Sequence, residues 1–178
     1  MEHFEGMRCK PGCIDRRGML RLVGGGAALA GTGFFSAAFA AGGTDALLLN
    51  CIDYRLTAAT EHYMAEHGMA GKYDQLVLAG ASLAAKNDKF PAWGTTFWDH
   101  VQVALDLHHI HKIVVMDHRD CGAYKVILGK DLAADPKEEL AVHAAQMHSL
   151  KGDIGKKYPN LQVELLLMGL DGKVETVA

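Results

Sequence analysis

Apolar residues fall in short dense runs along this chain, separated by longer stretches where they recur every three or four positions. Residues 46–52, Ala-Leu-Leu-Leu-Asn-Cys-Ile, form a run too short for a helix and without polar alternation, as a strand buried on both faces reads. Residues 75–81 and 161–168 read the same way, and Lys112 to His118, built on Ile113-Val114-Val115-Met116, is the clearest strand of all. Between the runs, Thr57 to Met69 predicts a helix ending near Gly71, with Ala58, Ala59, Tyr63 and Met64 as its buried face. A polar loop around Pro91 leads to a second helix, Thr96 to His109, with Phe97, Val101, Ala104 and Leu105 on one side. A short helix is expected over Ala123 to Leu128. A longer one follows, capped by Asp135, with Pro136 at its first position and Glu138 and Glu139 in its first turn.

Strands alternating with helices imply an α/β fold, a three-layer sandwich around a short parallel sheet of about four strands joined by right-handed crossovers. Ligands of such sheets sit beyond the carboxyl ends of the strands, where the winding reverses. In a 2-1-3-4 order the first and third strands are neighbours at that reversal. Cys51 to Asp53, just past the first strand, would then meet His118 to Cys121, just past the third.

Residues 1–40 carry a different pattern. Arg16 and Arg17 precede an apolar Gly/Ala-rich stretch, Leu22 to Phe39, which ends in Ala38-Phe39-Ala40, a small-x-small cleavage pattern. This resembles a twin-arginine signal, and the plainer alternatives are an ordinary signal peptide or an uncleaved anchor. The expectation is a signal over 1–40, cleaved after use of the twin-arginine export machinery, and one working domain over 41–178 in the periplasm or otherwise outside the cell. Cys9 and Cys13 would leave with the signal. That route carries folded proteins, so a metal could be loaded before two thiols meet an oxidising compartment.

Charge narrows the partners. The chain carries a net charge of -3, and with five of its 18 Lys/Arg and three of its 21 Asp/Glu in residues 1–40, the remainder stands at -5. No basic stripe offers itself to nucleic acid. No other stretch is long and apolar enough to span a bilayer, so no stable membrane insertion is expected after cleavage.

The candidate chemistry lies in Cys51-Ile52-Asp53-Tyr54-Arg55 and His118-Arg119-Asp120-Cys121-Gly122-Ala123. Two sulfurs and one imidazole suit zinc, and three protein ligands leave a fourth position for water whose pKa falls to about 7. Gly122 is read as permitting a sharp backbone path after Cys121. Asp53 could orient that water while Arg55 holds it by a bidentate pair, or could swing in as a fourth ligand and make activity pH-dependent. Plainer readings exist: an exported Cys51–Cys121 disulfide, a loop histidine at His118, a structural ion pair for Asp53 and Arg55. His108, His109 and His111 fit a helix C-terminus better than a second metal site. His143 and His148 read as surface or partly packed residues, and Trp93 and Trp98 as core or interface.

Cys-x-Asp-x-Arg followed by His-x-x-Cys-Gly resembles the β-class carbonic anhydrases. Gln75 to Ser82 resembles that family's second strand and its Ala-Gly-Asn turn, Leu107 to Ala123 its third strand and zinc turn, and Leu165 to Val174 its last strand and closing turn. The resemblance implies one zinc per chain on Cys51, His118 and Cys121, reversible hydration of carbon dioxide to bicarbonate, and Asp53 with Arg55 as a catalytic dyad. It places Gly80, Ala81 and Gly122 as candidate substrate-binding positions. It also implies a homodimer or higher even oligomer in which a neighbour completes each pocket. There are departures. Ala81-Ser82 stands where the family has Asn, only residues 41–50 separate the expected cleavage site from Cys51, and a long loop over 86–95 brings in Phe90 and Trp93, with Trp98 close behind. These keep open carbonyl sulfide or carbon disulfide as the small gaseous substrate, or a zinc-binding scaffold or sensor without catalysis.

Overall fold

The computed structural model describes residues 44–178. The expected signal over 1–40, with Cys9, Cys13, Arg16 and Arg17, lies outside the described residues. Five strands form one sheet: β1 (Ala46–Asn50), β2 (Tyr73–Val77), β3 (Lys112–His118), β4 (Gln162–Met168) and β5 (Val174–Thr176). Among the described residues four α-helices accompany them: α1 (Thr57–Glu66), α2 (Pro91–His108), α3 (Gly122–Leu128) and α4 (Pro136–Lys157). The order is β2-β1-β3-β4-β5, with the first four strands parallel and β5 antiparallel to β4.

Alternate residues of each central strand face opposite layers. Leu47, Leu49, Ile113, Val115, Leu165 and Leu167 pack with Phe97, Val101 and Ala104 of α2 and with Met147, Leu150 and Ile154 of α4. On the other face Ala46, Leu48, Val114, Met116, Leu166 and Met168 pack against Leu56 and Met64 at and within α1. This is the expected three-layer sandwich, with β1 buried along its whole length because both neighbours and both faces are covered.

Several boundaries differ from expectation. β2 runs two residues earlier and stops at Val77, because Gly80 and Ala81 adopt left-handed backbone (φ 91 and 40) that no strand accommodates. α1 ends at Glu66 and turns Thr60 and Met64 inward, leaving Ala58 exposed. α2 begins at Pro91, five residues before the expected start at Thr96. A proline's fixed φ and missing N–H suit the first helical position. β5 lies where only a closing turn is expected. Its three residues carry too little pattern to announce a strand, and pairing with β4 creates it.

Candidate metal centre

β1 and β3 are neighbours in register, Asn50 opposite Met116, so Cys51 and His118 emerge at the same end of the sheet. His118 closes β3, and the chain then turns sharply. The left-handed residue of that turn is Asp120 (φ 55), not Gly122, whose backbone is unexceptional and where an added Cβ would meet nothing. The Asp120 N–H donates to the buried Glu139 carboxylate of α4 at 2.6 Å, which pins the turn. Cys121 follows as the N-cap of α3.

The ligand atoms of Cys51, His118 and Cys121 all lie within 4.8 Å of one another. The two sulfurs stand 3.9 Å apart and are not joined. Two thiolates about 2.3 Å from one tetrahedral zinc stand about 3.8 Å apart, so the spacing fits the ion. His118 donates Nδ1–H to the Arg119 carbonyl at 2.8 Å, which leaves Nε2 as the free nitrogen, and that atom is buried without a partner. The Gly80 N–H donates to Cys51 Sγ at 3.2 Å. The Cys51 pKa is lowered to about 4, first by the hydrogen bond from Cys121 and then by His118 and Gly80. Cys121 is raised, because its hydrogen bond to Cys51 and its burial both oppose a second negative sulfur. Burial works against a charged His118, but the Cys51 sulfur outweighs it and raises the pKa. Two sulfurs that cannot both ionise side by side, and an orphaned imidazole nitrogen, are what a divalent cation would satisfy.

Asp53 and Arg55 form the expected pair. Arg55 Nη2 donates to Asp53 Oδ2 at 2.7 Å and Nε to Oδ1 at 3.0 Å. Asp53 Oδ2 reaches within 3.8 Å of His118 Nε2 yet remains outside the three-donor group. The same guanidinium donates to the Asp120 carboxylate at 2.8 Å and to the Asp120 carbonyl at 3.0 Å. Arg55 is therefore gripped by both motifs, and its pKa is raised by Asp53 and then Asp120. The Arg55 hydrogen bonds hold the Asp53 carboxyl at about 2.

A cleft of about 270 Å³ opens on the sulfurs, lined by Cys51, Ile52, Asp53, Ala79, Phe90, Trp93, Cys121, Gly122, Ala123, Val126 and Ile127. Asp53 is its only carboxylate, and no Lys or Arg lines it. Phe90 and Trp93 stack at 4.2 Å, so Trp93 is a cleft wall, while Trp98 packs on Phe97 and Tyr158. Of the three candidate substrate positions, Gly122 lines the cleft. Gly80 and Ala81 are buried and do not line it. The histidine cluster before β3 forms no metal group among the described residues, and His108 donates instead to Asp74 at 2.7 Å.

A family described as "Putative carbonic anhydrase" matches residues 41–178. The chain belongs to this family. An uncharacterised protein of Rickettsia conorii is 42% identical over 131 residues, covering 74% of this chain and 70% of its own length. One of Rickettsia bellii is 37% identical over 131 residues, covering 74% and 80%. A β-carbonic anhydrase isoform from Trichomonas vaginalis superposes with a TM-score of 0.50 at 16% identity over 90% of this chain and 92% of its own, a likeness of fold. The expected β-carbonic-anhydrase-like architecture and strand order are thus borne out.

Sequence reasoning missed Asp120, Glu139 and a buried cluster of Ser82, Asp117, Tyr124 and His143. His143 is fully buried, deeper than the expected surface or partly packed position, and His148 is exposed. A signal was present: Glu139, His143, Met147, Leu150 and Ile154 recur at helical spacing on the inward face of α4, and the apolar members point the polar ones inward too.

Proposed function

We propose that this chain is a zinc-dependent carbonate dehydratase that reversibly hydrates carbon dioxide to bicarbonate. The observation that carries the reading is the convergence of two sulfurs, whose residues line an apolar cleft, with a buried, unpartnered His118 Nε2 within 4.8 Å of them. Cys51, His118 and Cys121 would hold one zinc ion per chain. Zinc, when bound, supplies a Lewis acid that lets water ionise near neutral pH.

The chain's own residues do the rest. Carbon dioxide is small, linear and uncharged, and the carbon-lined walls admit it without a competing cation. Asp53, kept ionised by Arg55, accepts a hydrogen bond from water in the cleft and aims its lone pair at the substrate carbon. The Arg55 hydrogen bonds to both oxygens support the reading of Asp53 as an acceptor for that water rather than as a fourth ligand. The stacked Phe90–Trp93 wall supports a second reading, hydrolysis of carbonyl sulfide or carbon disulfide, since polarisable sulfur makes favourable contacts with aromatic rings.

Export through the twin-arginine route to the periplasm, with cleavage after residue 40, belongs to the same proposal. So does an even oligomer, supported by Ile52 and Val126, large apolar side chains exposed at the cleft rim.

The test is a metal analysis with a gas-hydration assay. Purified protein should hold close to one zinc per chain and hydrate carbon dioxide, and Cys51→Ala should lose both. Equal rates for the two proteins would end the reading. Hydrogen sulfide release from carbon disulfide with negligible carbon dioxide turnover would select the second.

A further inference from the structure

The carboxylate of Asp117 is completely buried, yet it touches none of the three metal donors. It stands one residue before His118 on β3, so its side chain leaves the opposite face of the sheet, toward α4. Four donors converge on it. Oδ1 accepts the Ser82 N–H at 2.9 Å. Oδ2 accepts the Ser82 hydroxyl at 2.6 Å, the Tyr124 hydroxyl at 2.6 Å and His143 Nδ1–H at 2.8 Å. All of these residues are buried.

The donors serve the carboxylate and little else. Ser82 Oγ and Tyr124 Oη are 3.0 Å apart, but each has a single hydrogen, and both hydrogens are directed at Asp117. That contact is a proximity the carboxylate imposes. His143 has no other polar partner among the described residues. Burial, with Asp117 beside it, pushes the Tyr124 phenol well above its usual pKa, so it remains a donor throughout.

Each donor also comes from a segment that carries part of the metal centre. Ser82 belongs to the turn whose Gly80 N–H meets Cys51 Sγ at 3.2 Å. Tyr124 lies in the first turn of α3, directly after Cys121. His143 sits one turn along α4 from Glu139, which pins the Asp120 N–H. Ser82, at the departure from the family's Ala-Gly-Asn turn, supplies two of the four hydrogen bonds.

We propose that Asp117 is a positioning residue for the metal centre: a buried carboxylate that locks β3, the Gly80–Ser82 turn, α3 and α4 together and so sets the spacing of Cys51, His118 and Cys121. The inference rests on the metal reading above. A cluster that merely fills the core would support the fold equally with and without metal. A positioning cluster acts on the difference between the two states, because loosening it lets the donors drift apart.

The experiment compares wild type with Asp117→Asn, Tyr124→Phe and His143→Gln. Zinc affinity is measured by competition with a chromophoric chelator, and melting temperature with and without zinc. Tyr124→Phe and His143→Gln each remove one donor with little change of shape, so they keep the test alive should Asp117→Asn not fold. The expected result is zinc affinity weakened by about 10- to 100-fold and a smaller zinc-induced rise in melting temperature. Wild-type affinity in the folded variants, with any loss confined to the zinc-free melting temperature, would overturn the proposal. A wild-type chain that binds no zinc would overturn the metal reading itself, a distinguishable failure.

Discussion

Arg55 is shared between two carboxylates, one on each motif, and this sharing decides what Asp53 can do. Asp120 is about half exposed, so its ion pair adds little to folding, but it leaves the guanidinium no second orientation. Asp120→Asn keeps a residue that tolerates left-handed backbone while removing the charge. It should leave zinc content unchanged and stability within about 0.5 kcal/mol, yet slow hydration by roughly tenfold. Stopped-flow hydration beside metal analysis checks this, and an unchanged rate would remove Asp120 from the site. The pH dependence follows from Asp53, whose pKa falls from 3.8 to about 2 on folding, mainly through the Arg55 hydrogen bonds. A group depressed in this way contributes its stability in full above its unfolded pKa and loses it as pH falls through the folded value. The pair is therefore intact above about pH 4 and dissolves toward about pH 2. Hydration rates should show one ionisation near about pH 7, set by water at the metal. A second inflection above about pH 4 that vanished in Asp53→Asn would count against this assignment.

At the scale of elements, the site is built where strands give way to turns. The Leu78–Ala81 segment reads from sequence as the end of a strand, because Leu78, Ala79 and Ala81 continue the apolar run. Its real conformation is left-handed at Gly80 and Ala81, since the Gly80 N–H must face Cys51 and Ala81 must reach the core. A Cβ at Gly80 would also come within 3.2 Å of Ala123 Cβ on α3. Gly80→Ala should therefore lower unfolding free energy by about 1–3 kcal/mol and weaken zinc binding together, read by denaturant titration and chelator competition. A fully stable variant would show the turn to be less constrained than its φ of 91 implies. α2 was only partly legible for a related reason. Its apolar periodicity starts at Phe97, whereas its first turn, Pro91 to Gly94, presents Trp93 to the cleft, so function and not core packing set its composition.

For the whole molecule, the strand order governs the outcome. The reversal between β1 and β3 brings a sulfur and an imidazole together from distant parts of the chain, and every later contact of the site is a consequence. Assembly and address also belong to this scale. Replacing Arg16 and Arg17 with Lys should hold the full-length chain in the cytoplasm, whereas the wild-type chain should appear in the periplasmic fraction and sediment as an even oligomer. Equal fractionation of both would argue against the twin-arginine route. By itself the sequence determined the α/β class, the four parallel strands, the candidate metal group Cys51–His118–Cys121 and the pairing of Asp53 with Arg55. Each is written in local periodicity, or in residue types whose chemistry has few other uses. The third dimension alone decided that Asp120 doubles the grip on Arg55, that Glu139 and Asp117 brace the turns from behind, and that Trp93 walls the cleft. Those roles arise when residues from separate elements are buried together, where an unpaired polar group is costly and so must find a partner.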